Sequence, residues 1–176
     1  MIKEYSGEFE LLVVEVKVNK LEIRIISGYG PQENLPDNER SAFYVALDVE
    51  IERAGLAGKE VVVSMDANAK PGKEWILKDK HIICKNGKLL ENILKKHHLV
   101  VGNGLMQSKG VITRKRVTTR STEESSIDLI IMSQGLATNV KNILVDEEQK
   151  HSLTRITQTK TGVVVKKVTT MLLLLN

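Results

Sequence analysis

Aromatic side chains are scarce in this 176-residue chain: one Trp, three Tyr and two Phe. A stacking platform for single-stranded nucleic acid needs several exposed rings, so the composition argues against that class. Cysteine is scarcer still. Cys84 stands alone, which excludes an internal disulfide and a Cys-rich zinc site, and a lone thiol reads as a small buried apolar residue. Long apolar runs are also missing. The longest, Met171 to Leu175, falls far short of the roughly 20 residues that a membrane-spanning helix needs. Met1-Ile2-Lys3-Glu4 leads into polar sequence without the apolar core of a secretory leader. These lacks describe a soluble, intracellular protein with no membrane partner. A net charge of +4, from 26 basic and 22 acidic residues, permits a phosphate-rich partner without demanding one. With 41% apolar and 27% charged residues the composition is that of a folded domain. No repeat or low-complexity linker interrupts it, so residues 1–176 read as a single domain.

What is present is a change of period along the chain. Residues 10–18 and 21–29 alternate apolar and polar positions around a turn at Asn19-Lys20, the pattern of a hairpin. Residues 37–54 place Phe43, Ala46, Leu47, Val49 and Ala54 at helical spacing, with Asp37 as N-cap and Gly55 as stop. The run 60–65 (EVVVSM) reads as a strand buried on both faces, and 89–99 as a second amphipathic helix. Residues 111–119 and 125–132 are strand-like, as are 140–145, 153–157, 163–165 and 171–175. Between 70 and 80 lies a polar loop with Trp75 and Ile76 packing back. The order is hairpin, helix, strand, helix, then a series of strands, which predicts an α+β fold with helices over a mixed sheet.

Three strand ends carry polar groups that a packed core does not need. They are Tyr29 before Gly30-Pro31-Gln32, the pair Asp66 and Asn68 in Met65-Asp66-Ala67-Asn68-Ala69, and Asp128 within Ile127-Asp128-Leu129-Ile130-Ile131. A carboxylate in an apolar run is costly unless it is paired, hydrogen-bonded or used on a ligand. Two residues apart on an extended segment, Asp66 and Asn68 project to one side, where one accepts a proton from water and the other donates to a phosphate oxygen. Each residue also has a structural reading: a solvated strand-end tyrosine, an Asx-turn pair, and an aspartate satisfied by backbone N–H groups.

Taken together these segments resemble the exonuclease–endonuclease–phosphatase superfamily. Tyr29-Gly30-Pro31-Gln32 is similar to its Tyr-x-Pro-Asn/Gln segment, Met65-Asp66-Ala67-Asn68-Ala69 to its Gly-Asp-Phe/Trp-Asn-Ala motif, and Ser125-Ser126-Ile127-Asp128-Leu129-Ile130 to its Ser-x-Ile-Asp-Tyr/Phe-Ile strand. Asn86-Gly87-Lys88-Leu89-Leu90 and Val100-Val101-Gly102-Asn103 also match, and the flavour is that of non-LTR retrotransposon endonuclease domains. The resemblance runs from about residue 21 to the C-terminus. It implies the C-terminal portion of a four-layer α/β/β/α sandwich, and a Mg²⁺-dependent phosphodiesterase acting on nucleic acid, for which a nuclear location is compatible. By resemblance Asp66 orients and deprotonates the attacking water, Asn68 holds the phosphate, Tyr29 donates to a phosphate oxygen, and Asp128 orients a histidine. Arg114, on the basic segment Arg114-Lys115-Arg116, matches a strand position near the scissile strand.

The departures are equally specific. The family opens with strands carrying an Asn and a metal-binding Glu, and this sequence begins at what resembles the middle hairpin. Before the last apolar strand the family has Ser-Asp-His, where this chain has Val168-Thr169-Thr170. His151 follows Lys150 and stands about twenty residues too early to replace that histidine. His97-His98 end a helix, and His81 has no ligand spacing to a partner. The metal ligands therefore stay unassigned. A degenerate or truncated member, or a catalytically inactive retrotransposon-derived scaffold, is the expected outcome, with self-association through an exposed sheet edge.

Overall fold

The computed structural model describes residues 2–5, 10–76, 82–117, 122–145, 154–159, 162–167 and 171–175. Ile2–Tyr5 (β1), Glu10–Val18 (β2) and Leu21–Tyr29 (β3) pair antiparallel, with Val18 opposite Leu21 and Glu10 opposite Tyr29. The predicted hairpin is present, and Asn19 takes the positive φ (57°) that asparagine tolerates in tight turns. Asp37–Leu56 (α1) then returns the chain so that Glu60–Asp66 (β4) lies parallel to β3, from Ile23 opposite Glu60 to Tyr29 opposite Asp66. The helix ends differ from expectation. Pro36 occupies the N-cap without a side-chain cap, and Asp37 is instead a first-turn acid that favours the helix dipole and pairs with Arg40. Gly55 is an ordinary helical residue, whereas the reversal uses Gly58 at φ +64°.

Lys85–Lys96 (α2) starts four residues before the predicted segment because Cys84 caps it. The Cys84 Sγ accepts from the backbone N–H of Lys70 (3.2 Å) and of Gly87 (3.4 Å). Cys84 is thus a half-buried cap, not a core residue, and burial raises its thiol pKa. The helix stops at His97, and His98 (φ +50°) turns the chain into Leu99–Val101 (β5), so Leu99 belongs to a strand. Its apolar face continues the helix pattern, which hides the boundary from periodicity.

Beyond a 3₁₀ turn at Gly102–Gly104 come Ser108–Lys109 (β6), Arg114–Val117 (β7), Thr122–Ser125 (β8) and Asp128–Ser133 (β9). Gln134–Ala137 (α3), Val140–Val145 (β10), Thr154–Thr159 (β11), Gly162–Lys167 (β12) and Met171–Leu175 (β13) complete the order. The main sheet runs β1-β2-β3-β4-β9-β5, a second sheet runs β13-β10-β6, and β7–β8 and β11–β12 are two-stranded. The predicted 111–119 and 125–132 strands are each interrupted. Residues 111–113 and 126–127 tie to each other instead, with Ile127 N–H donating to Thr113 Oγ1 (3.0 Å) and Thr113 N–H to Ser125 O (3.1 Å).

Alternation sorts the main sheet into two faces. Leu11, Val13, Ile26, Val61, Val63, Met65, Leu129 and Ile131 meet Phe43, Leu47 and Ile51 of α1 and Leu90 and Leu94 of α2. Ile76 is fully buried in this core and Trp75 packs against it, as expected of that loop. On the other face Ile23, Ile130 and Met132 pack with Leu136, Val140 and Ile143, so the second sheet lies over β9. Over β2–β4 that face is half-open, with Val16, Ile25 and Val62 partly buried and Leu12 39% exposed. The layers run helix, sheet, sheet. Among the described residues no helix is long and apolar enough to cross a membrane.

Charge is also buried under α1. Glu50 accepts from Arg24 Nη1 of β3 (3.2 Å) and from Arg53 Nη1 (2.5 Å). Arg24 and Lys59 in turn hold Glu15, and Lys59 first, then Arg24, depress its pKa to about 2. A lowered folded value means that this pairing stabilises fully above the ordinary 4.5 and is lost as pH falls toward 2. Removing the buried centre of the network is the sharper perturbation. Glu50→Ala takes from Arg24 one of its two carboxylate partners, with Glu15 remaining, and is expected to cost about 1–3 kcal/mol in urea unfolding. Arg53→Ala, at a half-exposed position, is expected to cost at most about 1 kcal/mol.

Candidate active site

The strand registers bring the polar strand ends into one row. Tyr29 on β3 is the Cα partner of Asp66 on β4, and Asp66 is the partner of Asp128 on β9. Directly opposite residues share a face. All three therefore lie on the side of the sheet away from α1 and α2, at the C-terminal ends of β3 and β4 where β9 begins. Two carboxylates opposite each other on adjacent strands oppose folding, since like charges in that position repel. Sheet stability does not account for such a pair.

The environment of Asp128 shows the cost. Burial pushes its pKa up to about 6, and the negative charge of Asp66 adds to the rise. A hydrogen bond with the Thr113 side chain and the charge of Arg114 act the other way. Thr113 is itself fixed, because its Oγ1 accepts from the backbone N–H groups of Ile127 and Asp128, each at 3.0 Å. Arg114 follows as the exposed first residue of β7, opposite Ser125, within electrostatic reach of Asp128.

Asn68 departs from expectation. It does not continue an extended strand beside Asp66 but takes a left-handed conformation (φ 42°). Its backbone N–H donates to Asp66 Oδ1 (3.0 Å), an Asx turn, and its side-chain Nδ2 donates to Gly30 O (2.8 Å). The turn thereby aims Asp66 and fastens the loop after β4 to the loop after β3. Gly30 is required at this contact: a Cβ there would run into the Ala67 carbonyl oxygen, while Gly30 N–H donates to Asp66 O (2.7 Å). Tyr29 stands at the rim, 49% exposed.

Several supporting residues escaped the sequence reading. Asn103, 2% exposed, donates from Nδ2 to Asp128 O (3.1 Å) and accepts from Ile130 N–H (3.1 Å), extending the β5–β9 ladder with a side-chain amide. Glu10 is the β2 partner of Tyr29, so the row begins with another, exposed carboxylate. Counting back from the Asn19-Lys20 turn would have found it. Among the described residues, neither His97 nor His98 joins the row. His97 Nε2 lies 2.6 Å from Asp48 Oδ1 between α1 and α2, His98 is exposed, and His81, His151 and 168–170 fall outside the described residues.

Among the described residues no group of three or more His, Cys, Asp or Glu side chains could hold a metal ion. Asp66 and Asp128 are two carboxylates at one end of the sheet, short of a cation cage but the donor set that magnesium takes when waters and substrate phosphates complete its shell.

No family model and no curated protein matches the sequence. Solved structures do match the fold. The chain is similar to the endonuclease domain of TRAS1, a telomere-specific non-LTR retrotransposon (TM-score 0.59, 19% identity, 84% of this chain and 62% of that one). It is also similar to the 3′ phosphatase NExo from Neisseria bound to product DNA hairpin (0.58, 18%, 93% and 64%). A mannosyl-6-phosphatase from Bacteroides thetaiotaomicron gives 0.57 at 12% identity, over 94% and 57%. The fold is that of the endonuclease/exonuclease/phosphatase proteins, and this chain spans 57–64% of the length of these three.

The raised Asp128 pKa makes a signed prediction. Its charged form is disfavoured by folding, so its contribution is best below the ordinary 3.8 and is lost as pH rises through about 6. Asp128→Asn is expected to raise stability by about 1–3 kcal/mol at pH 8, the gain disappearing by about pH 4 in thermal melts. An equal effect at both pH values would show that Asp128 is not held against its charge.

Proposed function

We propose that this chain carries the water-activating and phosphate-facing part of a phosphodiesterase site of the Mg²⁺-dependent type, acting on nucleic acid, in a degenerate or partial form. The observation that carries the reading is the Tyr29–Asp66–Asp128 row, which sets a donor beside two carboxylates where sheet stability wants neither. Asp66, aimed by the Asn68 turn, is the base for the attacking water. The Tyr29 hydroxyl donates to a phosphate oxygen, and the second hydrogen of the Asn68 amide serves the same anion. Arg114 contributes positive charge beside the row. Asp128, half-buried and half-protonated near pH 6, is the group that would orient a histidine.

Hydrolysis of a phosphodiester demands that developing negative charge be met. No metal cage stands among the described residues, and Thr170 occupies the sequence position at which the resemblance places a histidine. Each missing charge-stabilising group is worth about 10²–10³ in rate, so the isolated chain is expected to be a poor catalyst. Supercoiled-plasmid nicking with Mg²⁺ or Mn²⁺, beside Asp66→Ala, tests this. Background nicking equal in both proteins supports an inherited scaffold with little chemistry, whereas metal-dependent nicking abolished in Asp66→Ala makes the chain a working nuclease.

The half-open face of β2–β4 supports a second part of the proposal, self-association. Partly exposed aliphatic side chains beside a sheet edge invite pairing with another chain. Light scattering is expected to give a mass above the 19.7 kDa of one chain, and Leu12→Lys to lower it. A monodisperse monomer in the unsubstituted protein would refute association.

A further inference from the structure

We propose that Asn86 is the positioning residue of the candidate active site, a single buried amide that sets the spacing of the loop that follows Tyr29 and the loop that carries Asn68. This rests on the reading of those loops as phosphate-facing. Asn86 is the second residue of α2 and is completely buried. Its Nδ2 donates to Pro31 O (2.7 Å), in the loop after β3, and to Asn68 O (3.1 Å), in the loop after β4. An amide nitrogen has two hydrogens, and here each goes to a different loop. The carbonyl side is committed as well, because Oδ1 accepts from Arg40 Nη1 (3.2 Å).

Arg40 makes the arrangement directional. Buried in α1 at 3% exposure, it also donates from Nε to Leu35 O (3.1 Å) and pairs with Asp37. A guanidinium offers donors only, so whatever atom of Asn86 faces it must accept. That fixes which end of the amide is Oδ1 and turns Nδ2 onto the two loops. The α2 N-terminus is docked under the same loop by Cys84 N–H to Lys70 O (3.3 Å), and a Cβ at Gly87 would strike that carbonyl. Helix α2 therefore presents Asn86 at a set height. Aspartate at this position would keep the Arg40 partner but place an oxygen against two carbonyl oxygens, pushing the loops apart while the core stays packed.

The test is Asn86→Asp read by amide hydrogen exchange and by the Asn68 side-chain amide resonance in NMR. Leaving a buried polar group without its partner costs about 1–3 kcal/mol. The Gly30 N–H, bonded to Asp66 O in the loop contact, is thus expected to exchange roughly 10- to 100-fold faster. Core amides such as Val63 and Ile131 should keep their rates, and the Asn68 amide resonance should move. Should Asn86→Asp fail to fold, Arg40→Met gives the same reading, because it removes the donor that orients Asn86 without touching Asn68. Unchanged exchange at Gly30, or equal acceleration at Gly30, Val63 and Ile131, would overturn the proposal. The readout needs no turnover, so the nicking assay decides between scaffold and working nuclease while this proposal stands or falls by the exchange rates alone.

Discussion

The parallel ladder between β3 and β4 is the constraint on which the rest of the molecule depends. Parallel neighbours cannot be joined by a tight turn, so the chain must cross the sheet, and α1 is that crossover. Its length and its buried side chains, Phe43, Leu47, Ile51 and Ala54, fix how far β4 slides along β3. A slip by one residue would send Val61, Val63 and Met65 to the wrong face and would part Tyr29 from Asp66. Core packing and site geometry are thus set by one register, and selection for either maintains the other.

Around that register the molecule tolerates electrostatic tension and answers it with hydrogen bonds and the nearby charge of Arg114. Asp66 and Asp128 face each other, and the backbone at both strand ends is held by amides and hydroxyls: Asn68, Asn103 and Thr113. The opposite solution is used under α1, where Glu50 is met directly by Arg24 and Arg53. Compensated charge suits a place that only has to be stable. A carboxylate whose pKa burial has raised, as at Asp128, suits a place that has to exchange protons.

Much of the architecture was legible because period and composition agree. The β2–β3 hairpin, the body of α1 and the β4 strand follow from alternation and helical spacing that no tertiary contact contradicts. The boundaries that misled are those set by side-chain chemistry beyond the period. Cys84 caps α2 through sulfur, which a reading of thiols as core residues misses, and Leu99 keeps the helical apolar phase after the helix has ended. At the site, the types and order of Tyr29, Asp66, Asn68 and Asp128 were readable, and so was their position at strand ends. Their arrangement in a row was not, since β4 and β9 pair antiparallel across more than sixty residues of sequence. The Asx turn at Asn68 was one of two local readings of the Asp66–Asn68 pair, whereas the amide bonds of Asn68, Asn86 and Asn103 are tertiary facts, because each side chain bonds to backbone distant in sequence.

Cys84 has one more consequence. It is the chain's sole thiol, half-buried, and it joins Lys70 to the first turn of α2, next to the amide that reaches both loops. Any adduct on sulfur removes an acceptor from two backbone N–H groups at once and adds bulk where the helix start meets the 66–72 loop. Covalent labelling is therefore not a neutral way to attach a probe to this protein. The rate at which an electrophile reaches that sulfur measures how often the start of α2 lifts from its seat, and a labelled molecule reports a looser site than an unlabelled one.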